Sequence, residues 1–496
     1  MGREITAAEF TREDCSRYRR RLKRCLRVLG QVVDSGLLER GQRLVGVEME
    51  VHLADREGIA LPVNSQVLQR LDSGMFQPEL ARFNVEFSIA PRELRGDCLR
   101  WMERELNLRL RQTQEAAEAL GGQTIVIGIL PTFATRDAVE ENFSARIRYR
   151  ALNDAILAAR GENLDIRIHG VESLCVVARS ILFEAACTGL HLHAQVDAED
   201  SARYWNAAQA LSAPLVAVAA NSPFFLQRQL HHETRIALFL QSIDTRPEEL
   251  VHQGVRPRVW FGEAWLRKSV FELFEENVRF FPPLLPVCDD EDPDAVLAGG
   301  RTPALDALTL HNGTIYRWNR PVYEVTNGTG HLRIENRVLP AGPSIADSVA
   351  NAALYFGLLR ALMNAERPVW EEMSFKAADR NFFTAAKHGL GARLHWPRVG
   401  SGVPVGQLLL RHLIPLAHDG LRDWSIDVED ADYYLGIIEA RASTGRNGAV
   451  WQIATHRALV EHDGLDRSKA ARELVRRYAE CFQSGAPVHT WPVGPA

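Results

Sequence analysis

Glu48 and Glu50 stand two residues apart in the run Val45-Gly46-Val47-Glu48-Met49-Glu50-Val51-His52-Leu53. Read with the two-residue period of a strand, Val45, Val47, Met49, Val51 and Leu53 make one apolar face, and Gly46, Glu48, Glu50 and His52 share the other. Side chains two apart on a strand lie roughly 7 Å from each other and can lean together. At about 4 Å, two carboxylates repel by about 4 kcal/mol at an effective dielectric of about 20. A cation between them removes that repulsion. An isolated Glu-x-Glu is ordinarily a solvent-facing strand, so the rest of the chain decides its meaning.

Three further stretches repeat the pattern. Phe83-Asn84-Val85-Glu86-Phe87-Ser88-Ile89 alternates strictly, with Glu86 on the polar face. Gly189 to Val196 places His191, His193 and Gln195 together, and His331 to Leu339 sets Arg333, Glu335 and Arg337 opposite Leu332, Ile334 and Val338. Taken singly, the two histidines read as well as a cross-strand pair, and Arg337 as a salt-bridge partner of Glu335. If all four strands share one sheet with helices under its apolar faces, the open face gathers at least four carboxylates, too many anions to sit unpaired in a partly buried cleft. Oxygen ligands with an occasional imidazole suit Mg²⁺ or Mn²⁺, whereas zinc calls for cysteines or a histidine majority. Such a cleft, supplied with arginines, meets the needs of phosphoryl transfer from a nucleoside triphosphate. Neither GxxxxGK[ST] nor GxGxxG occurs, so the sheet cleft itself has to hold the nucleotide.

The elements that must position these residues follow from periodicity. Glu13 to Leu38 forms an amphipathic helix on Tyr18, Leu22, Leu26, Leu29, Val33 and Leu37, closed by Gly41. Pro91 ends the Glu86 strand, a helix runs from about Arg92 to Leu120, and Thr124 to Leu130 reads as a buried strand. Helices are expected over about Glu199 to Ala220 and over His231 to Ile243, the second carrying Arg235. Asp289 to Gly300 is the best loop or lid candidate. Thr314 to Val325 pairs with His331 to Leu339 around Asn327-Gly328-Thr329-Gly330. From Ala346 to about Gln483 the pattern is helical. The expected organisation is an N-terminal helix (1–40), one domain (41–484) with a sheet core to about 345 and a helical part to about 484, and a tail (485–496).

A chain of 496 residues with 46% hydrophobic content buries a large core. Its net charge of −5 gives no global attraction to nucleic acid or membrane, so small-molecule partners are expected, and self-association into a homo-oligomer is compatible with this composition. Seven cysteines without a CxxC pair read as reduced thiols of a cytoplasmic protein. No uninterrupted apolar run approaches the roughly 20 residues of a membrane span. Met1 to Thr6 matches the loose acylation pattern, which chance meets easily.

The series GVEME at 46–50 after Val45, EL at 79–80 followed by VE at 85–86, GLHLH at 189–193, NSPF at 221–224 and RIENRVLP at 333–340 resembles the bacterial glutamate-cysteine ligase family two. These are carboxylate-amine ligases of the glutamine synthetase-like superfamily, and the similarity runs from about 43 to 460, including Gly389-Leu390 and Gly445 to Gln452. The resemblance implies an α+β fold in which a curved antiparallel sheet, backed by helices, forms a funnel with ATP at one end and glutamate at the other. It implies that Glu48, Glu50, Glu79, Glu86, His191 and Glu335 hold Mg²⁺ or Mn²⁺, that His193 contacts phosphate and that Arg337 holds the acidic substrate. By neighbourhood it places Arg320 beside Arg337 in catalysis, Arg317 with His193 at the nucleotide, and Arg235 at the substrate. The implied reaction makes a γ-glutamyl amide through an acyl phosphate, with cysteine the family's best-known amine. The rivals are the same mechanism with another acid or amine, and a metal- and nucleotide-binding regulator without turnover. A histidine-metal hydrolase fits less well, because carboxylates outnumber histidines. Arg333 stands where a smaller residue is commoner, an extra charge expected near the substrate end.

Overall fold

The computed structural model describes Ile5 and residues 9–71 and 74–493, so the Met1 to Thr6 pattern and the end of the tail fall largely outside it. Seven antiparallel strands form one sheet: β1 (Leu44–Asp55), β2 (Phe76–Pro78), β3 (Asn84–Glu93), β4 (Gly122–Ile125), β5 (Gly189–Val196), β6 (Asn319–Thr326) and β7 (Thr329–Pro340). Their order is β6-β7-β5-β1-β3-β2, and β4 pairs with the C-terminal end of β1. The alternation read in β1 is the burial observed, since Met49, Val51 and Leu53 are fully buried. The β6–β7 hairpin turns on two residues, Asn327 (φ 52°) and Gly328 (φ 83°). Two consecutive left-handed residues match the twist of the flanking strands and fix the register that sets Arg320 opposite Glu335.

Helices cover the apolar side. The longer ones are α1 (Arg12–Ser35), α2 (Cys98–Glu118), α3 (Ile147–Arg160), α4 (Ser201–Ala219), α5 (Ile345–Met363), α6 (Phe375–His388), α7 (Val428–Thr444), α8 (Gly448–Glu461) and α9 (Arg467–Gln483). Helices α4 and α5 are buried almost all round, as their lack of a polar face demands. Helix α5 is long and apolar enough to cross a membrane, but here it is the core helix on which α4 and α7 pack. Its Asp347 is fully buried and is matched by Arg441 of α7, whose Nη2 and Nε lie 2.6 and 3.0 Å from Oδ1.

Several boundaries differ from the sequence expectation, each for a local reason. Pro91 does not end its strand, because β3 runs on to Glu93 and Pro91 falls in a bulge between Ile89 and Arg92, where a missing N–H breaks no ladder bond. Helix α1 ends at Gly36 (φ 74°), five residues before Gly41. The Thr124 to Leu130 strand is shorter, with β4 ending at Ile125. The 289–300 segment is not a free lid. It carries a short helix, Pro293–Ala298, capped by Asp292, and it is tied to α1 by ion pairs of Arg21 with Asp289, Arg24 with Asp292 and Asp294, and Arg27 with Asp294.

Candidate active site

Strand register assembles the site. Across β7-β5-β1-β3, Glu335 faces His193, His191 faces Glu48, and Glu50 faces Glu86. Like charges directly opposite on neighbouring strands destabilise a sheet, so the Glu50–Glu86 pair calls for a cation. Of these side chains, Glu48, Glu50 and Glu86 open into a cleft with about 810 Å³ of empty volume. His191 Nδ1 lies 3.6 Å from Glu48 and its Nε2 3.7 Å from Glu50, while His193 Nε2 lies 3.4 Å from Glu48. Glu50 accepts a 2.6 Å hydrogen bond from the Gly189 N–H. Arg320 forks onto Glu335 at 2.8 and 3.0 Å, and Arg337 donates to the same carboxylate.

A bulge in β7 between Asn336 and Leu339 holds Arg337 in place. The carbonyls of Arg337 and Val338 leave the ladder there, and both accept from the buried guanidinium of Arg235, whose Nε is 3.0 Å from Glu233.

The carboxylates divide into two sets. Burial raises Glu48, but the facing His193 and His191 outweigh it and hold the group well below the usual carboxylate range. Glu335 behaves alike, burial being overcome by Arg320, Arg337 and His193. Glu50 and Glu86 are pushed well above that range, by burial first and then by neighbouring carboxylates. Glu79 is raised by burial, partly offset by Arg148 and Arg337. Glu184 is pushed up to about 8 by burial and Glu79. Burial, with Arg337, lowers His191 to about 4, so at neutral pH its imidazole is uncharged and has a lone pair to offer. His52, on the same face of β1, is lowered to about 3 by burial and sits between Asn84 and Thr188, which makes it a structural residue.

The residues fit a divalent cation. Ligand atoms of Glu48, His191 and Glu335 all lie within 4.8 Å of one another, and so do those of Glu50, Glu86 and His191. Three buried polar atoms in this cluster, Glu86 Oε1, His191 Nδ1 and His193 Nε2, have no hydrogen-bond partner among the described residues. A donor set of carboxylate oxygens with one imidazole is that of Mg²⁺ or Mn²⁺. A cation at either group would also reverse the upward shifts of Glu50 and Glu86.

The structure brings Glu48, Glu50, Glu79, Glu86, Arg320 and Arg337 together as walls of the cleft, with His191, His193 and Glu335 in the adjoining cluster. Glu79 joins neither ligand group. Arg235 braces the bulge and lines a small inner recess with Glu50, Glu184, His191 and Arg337. Arg317 is elsewhere: its guanidinium binds Glu276 at 2.8 Å and Asn277 at 2.9 Å under the Trp260 ring, while its neighbours Tyr316 and Arg320 line the cleft. Arg333 does not line the first cleft either. It donates to His193 Nδ1 at 3.1 Å and to His331 and Glu324, on the wall of a second cleft. Periodicity missed Arg146, Arg148 and Glu184, which also line the first cleft, because they sit at a helix start and on the short turn Ile181–Ala186. A lone charge inside the apolar run Ile181 to Cys187 was the available signal for Glu184.

Two solved structures share the architecture. The glutamate-cysteine ligase of Francisella tularensis, solved in complex with AMP, superposes with a TM-score of 0.53 at 12% identity, covering 90% of each chain. The bifunctional glutathione synthetase of Pasteurella multocida gives 0.52 at 12% identity, covering 92% of this chain and 54% of that one, so the chain spans about half its length. Among curated proteins, none matches in sequence. The antiparallel sheet, which turns a carboxylate-lined face toward its cleft and its apolar face toward helices, is thus the fold of these ligases. The sequence pattern of glutamate-cysteine ligase family 2 matches residues 44–477, and the chain belongs to that family of ATP-dependent ligases.

Proposed function

We propose that the protein joins the side-chain carboxylate of glutamate to an amine, at the expense of ATP, through an acyl phosphate. One observation carries this reading: the carboxylate cleft and a second cleft, with about 1020 Å³ of empty volume, meet at Arg320 and Gly313. The second cleft offers Leu310, Val322 and Tyr323 as apolar surface and Arg333 as a cation, which suits a nucleotide. The AMP in the Francisella enzyme supports that assignment. An acid in the first cleft and a triphosphate in the second then approach each other across the cation-binding groups.

When bound, Mg²⁺ or Mn²⁺ held by Glu48, Glu50, Glu86, His191 and Glu335 would neutralise charge on the transferring phosphoryl group. The chain's own residues supply the rest. Arg320 keeps Glu335 ionised and oriented, and Arg337 supplies a fixed positive charge against which a substrate carboxylate is held. Leu80, Leu152, Ile181 and Ile243 make an apolar wall that excludes water from the activated carboxyl. Cysteine is the amine suggested by the family's name, and the seven free thiols suit a reducing cytoplasm.

The test intercepts the intermediate. Incubation with ATP, Mg²⁺, glutamate and hydroxylamine is expected to give γ-glutamyl hydroxamate and ADP in equal amount, since a small strong nucleophile captures an acyl phosphate whichever amine is natural. ADP without hydroxamate would make the protein an ATPase or kinase. Neither product, across glutamate, aspartate and other small acids, would leave a regulator that binds metal and nucleotide.

A further inference from the structure

The mechanism above leaves two carboxylates of the cleft without a task, Glu79, which Arg148 and Arg337 partly offset, and Glu184. Glu184 lines the first cleft, yet it belongs to neither cation-binding group. Its carboxylate accepts no hydrogen bond from, and forms no ion pair with, any described residue. It is nevertheless firmly placed. The turn that carries it is fixed by Asn153, whose Oδ1 accepts the Ile181 N–H at 3.0 Å, and by the Cys187 N–H, which donates to the Glu184 carbonyl at 2.8 Å. A fixed, unpartnered carboxylate beside reacting groups is available to a cationic ligand.

Its position says which ligand. The first cleft shares Arg320 and Gly313 with the nucleotide side, but it shares Glu50, Glu184 and Arg337 with an inner recess that the nucleotide cleft does not touch. Glu184 therefore stands beside Arg337, which holds the acid, and away from the side on which phosphate is delivered. A nucleophile that displaces phosphate from the acyl carbon has to come from there. Amines of ordinary basicity arrive as ammonium ions and cannot attack until a proton has left.

We propose that Glu184 forms the amine subsite, its carboxylate binding the incoming primary ammonium and taking its proton. The inference rests on the ligase reading. The ammonium N–H bond breaks toward Glu184, and the freed nitrogen lone pair forms the C–N bond to the acyl carbon. The acyl C–O bond then breaks, phosphate leaves with its electron pair, and the second nitrogen proton leaves with the phosphate. An ordinary carboxylate is too weak a base to compete for an ammonium proton. Glu184 is enclosed beside the apolar side chains of Leu152, Ile181 and Ile243, and a carboxylate so screened from water competes better for a proton.

Hydroxylamine and methylamine separate the two readings, because they are alike in size but the first is largely uncharged at neutral pH and the second is protonated. The full-length wild-type protein, with ATP, Mg²⁺ and glutamate, is expected to form both the hydroxamate and the γ-glutamyl methylamide. In Glu184→Gln the methylamide rate should fall about 100-fold further than the hydroxamate rate, the scale of a lost general base. Glu184→Asp, which keeps the charge, should recover part of the difference. Wild-type hydroxamate without methylamide would overturn the assignment of Glu184 and leave the ligase standing. Equal losses of both products in Glu184→Gln would do the same, marking a structural residue, and so would no loss of either. No hydroxamate from the wild type would sink the ligase and this inference together.

Discussion

Raising the pH from 6.5 to 8 in the presence of a chelator should destabilise the cation-free protein, and Mg²⁺ should reverse the loss. Glu184 has its folded value raised from 4.5 to about 8. Between those values the folded state binds more protons than the unfolded one, so stability falls as pH rises through the window. Other groups bound the useful range. Buried histidines lowered to about 3 or 4, such as His52 and His191, stabilise the fold increasingly up to about pH 6.5 and contribute no slope above it. Glu48 and Glu335, held low, have contributed fully well before that. Buried thiols such as Cys25, raised to about 11, begin to cost stability only above their ordinary value near 9. Over pH 6.5 to 8, then, about 1.5 pH units at about 1.4 kcal/mol each leave about 2 kcal/mol from Glu184 as an upper figure. Glu50 and Glu86 act in the same direction and add to this loss. A chain this long has an unfolding entropy of roughly 1 kcal/mol/K, so the thermal midpoint should drop by about 2 °C from Glu184 and further with the other two. Mg²⁺ at about 100 times its dissociation constant restores about 2.7 kcal/mol. The assay is a thermal melt at four or five pH values, with chelator and with Mg²⁺. A midpoint that stays flat or rises with chelator, or a fall that neither Mg²⁺ nor Mn²⁺ repairs, would refute the reasoning.

Glu48→Gln should lower ATP turnover by about 100-fold or more with a change of no more than a few °C in the chelator midpoint, because the cation loses a charged ligand while the amide oxygen still faces His191 and His193, and repulsion with Glu86 is relieved. Glu335→Gln should abolish turnover too, but its midpoint should fall by the equivalent of about 1–3 kcal/mol, since Arg320 and Arg337 both lose a charged acceptor. Arg337→Lys should raise the KM for glutamate about tenfold and that for ATP far less; a parallel rise in both would move Arg337 to the phosphate side. Arg441→Leu leaves Asp347 buried and unmatched, and denaturant melts should register a loss of about 3–5 kcal/mol with m unchanged.

Most of the site was legible because a strand advertises its faces. Glu48, Glu50, Glu86, His191, His193, Glu335 and Arg337 all lie on alternating ribbons whose apolar partners are buried, and pairing those ribbons in one sheet sufficed to bring the residues together. What the alternation does not carry is strand order, and the functional groups depend on it. His191 serves both cation groups only because β5 lies beside β1, and Glu50 meets Glu86 only because β3 lies on the other side. Turn chemistry was legible where two residues determine it, as at Asn327-Gly328. It failed at Pro91, where the bulge that tolerates the proline is a property of the pairing with β1.

The arginines and Glu184 show where reading by neighbourhood stops. Arg317 and Arg320 are three residues apart, yet one is committed to Glu276 and Asn277 and the other to Glu335, a difference set by the strand faces and by a helix more than thirty residues upstream in sequence. Arg333 shares a strand face with Glu335 and Arg337, but its guanidinium turns to His193, His331 and Glu324 and so joins the wall of the second cleft instead of the first. Glu184 carries no periodic signal because the turn that holds it has none. Its environment is built by α3, the residues around Ile243 and Tyr316, and the carboxylates of two strands, none adjacent to it in sequence. A catalytic base of raised proton affinity needs such a composite setting, since no local stretch of chain supplies both the burial and the facing charge that shift it. The chemistry of the strands is therefore written in the sequence, whereas the strength of the groups that act on the substrate arises only in the assembled fold.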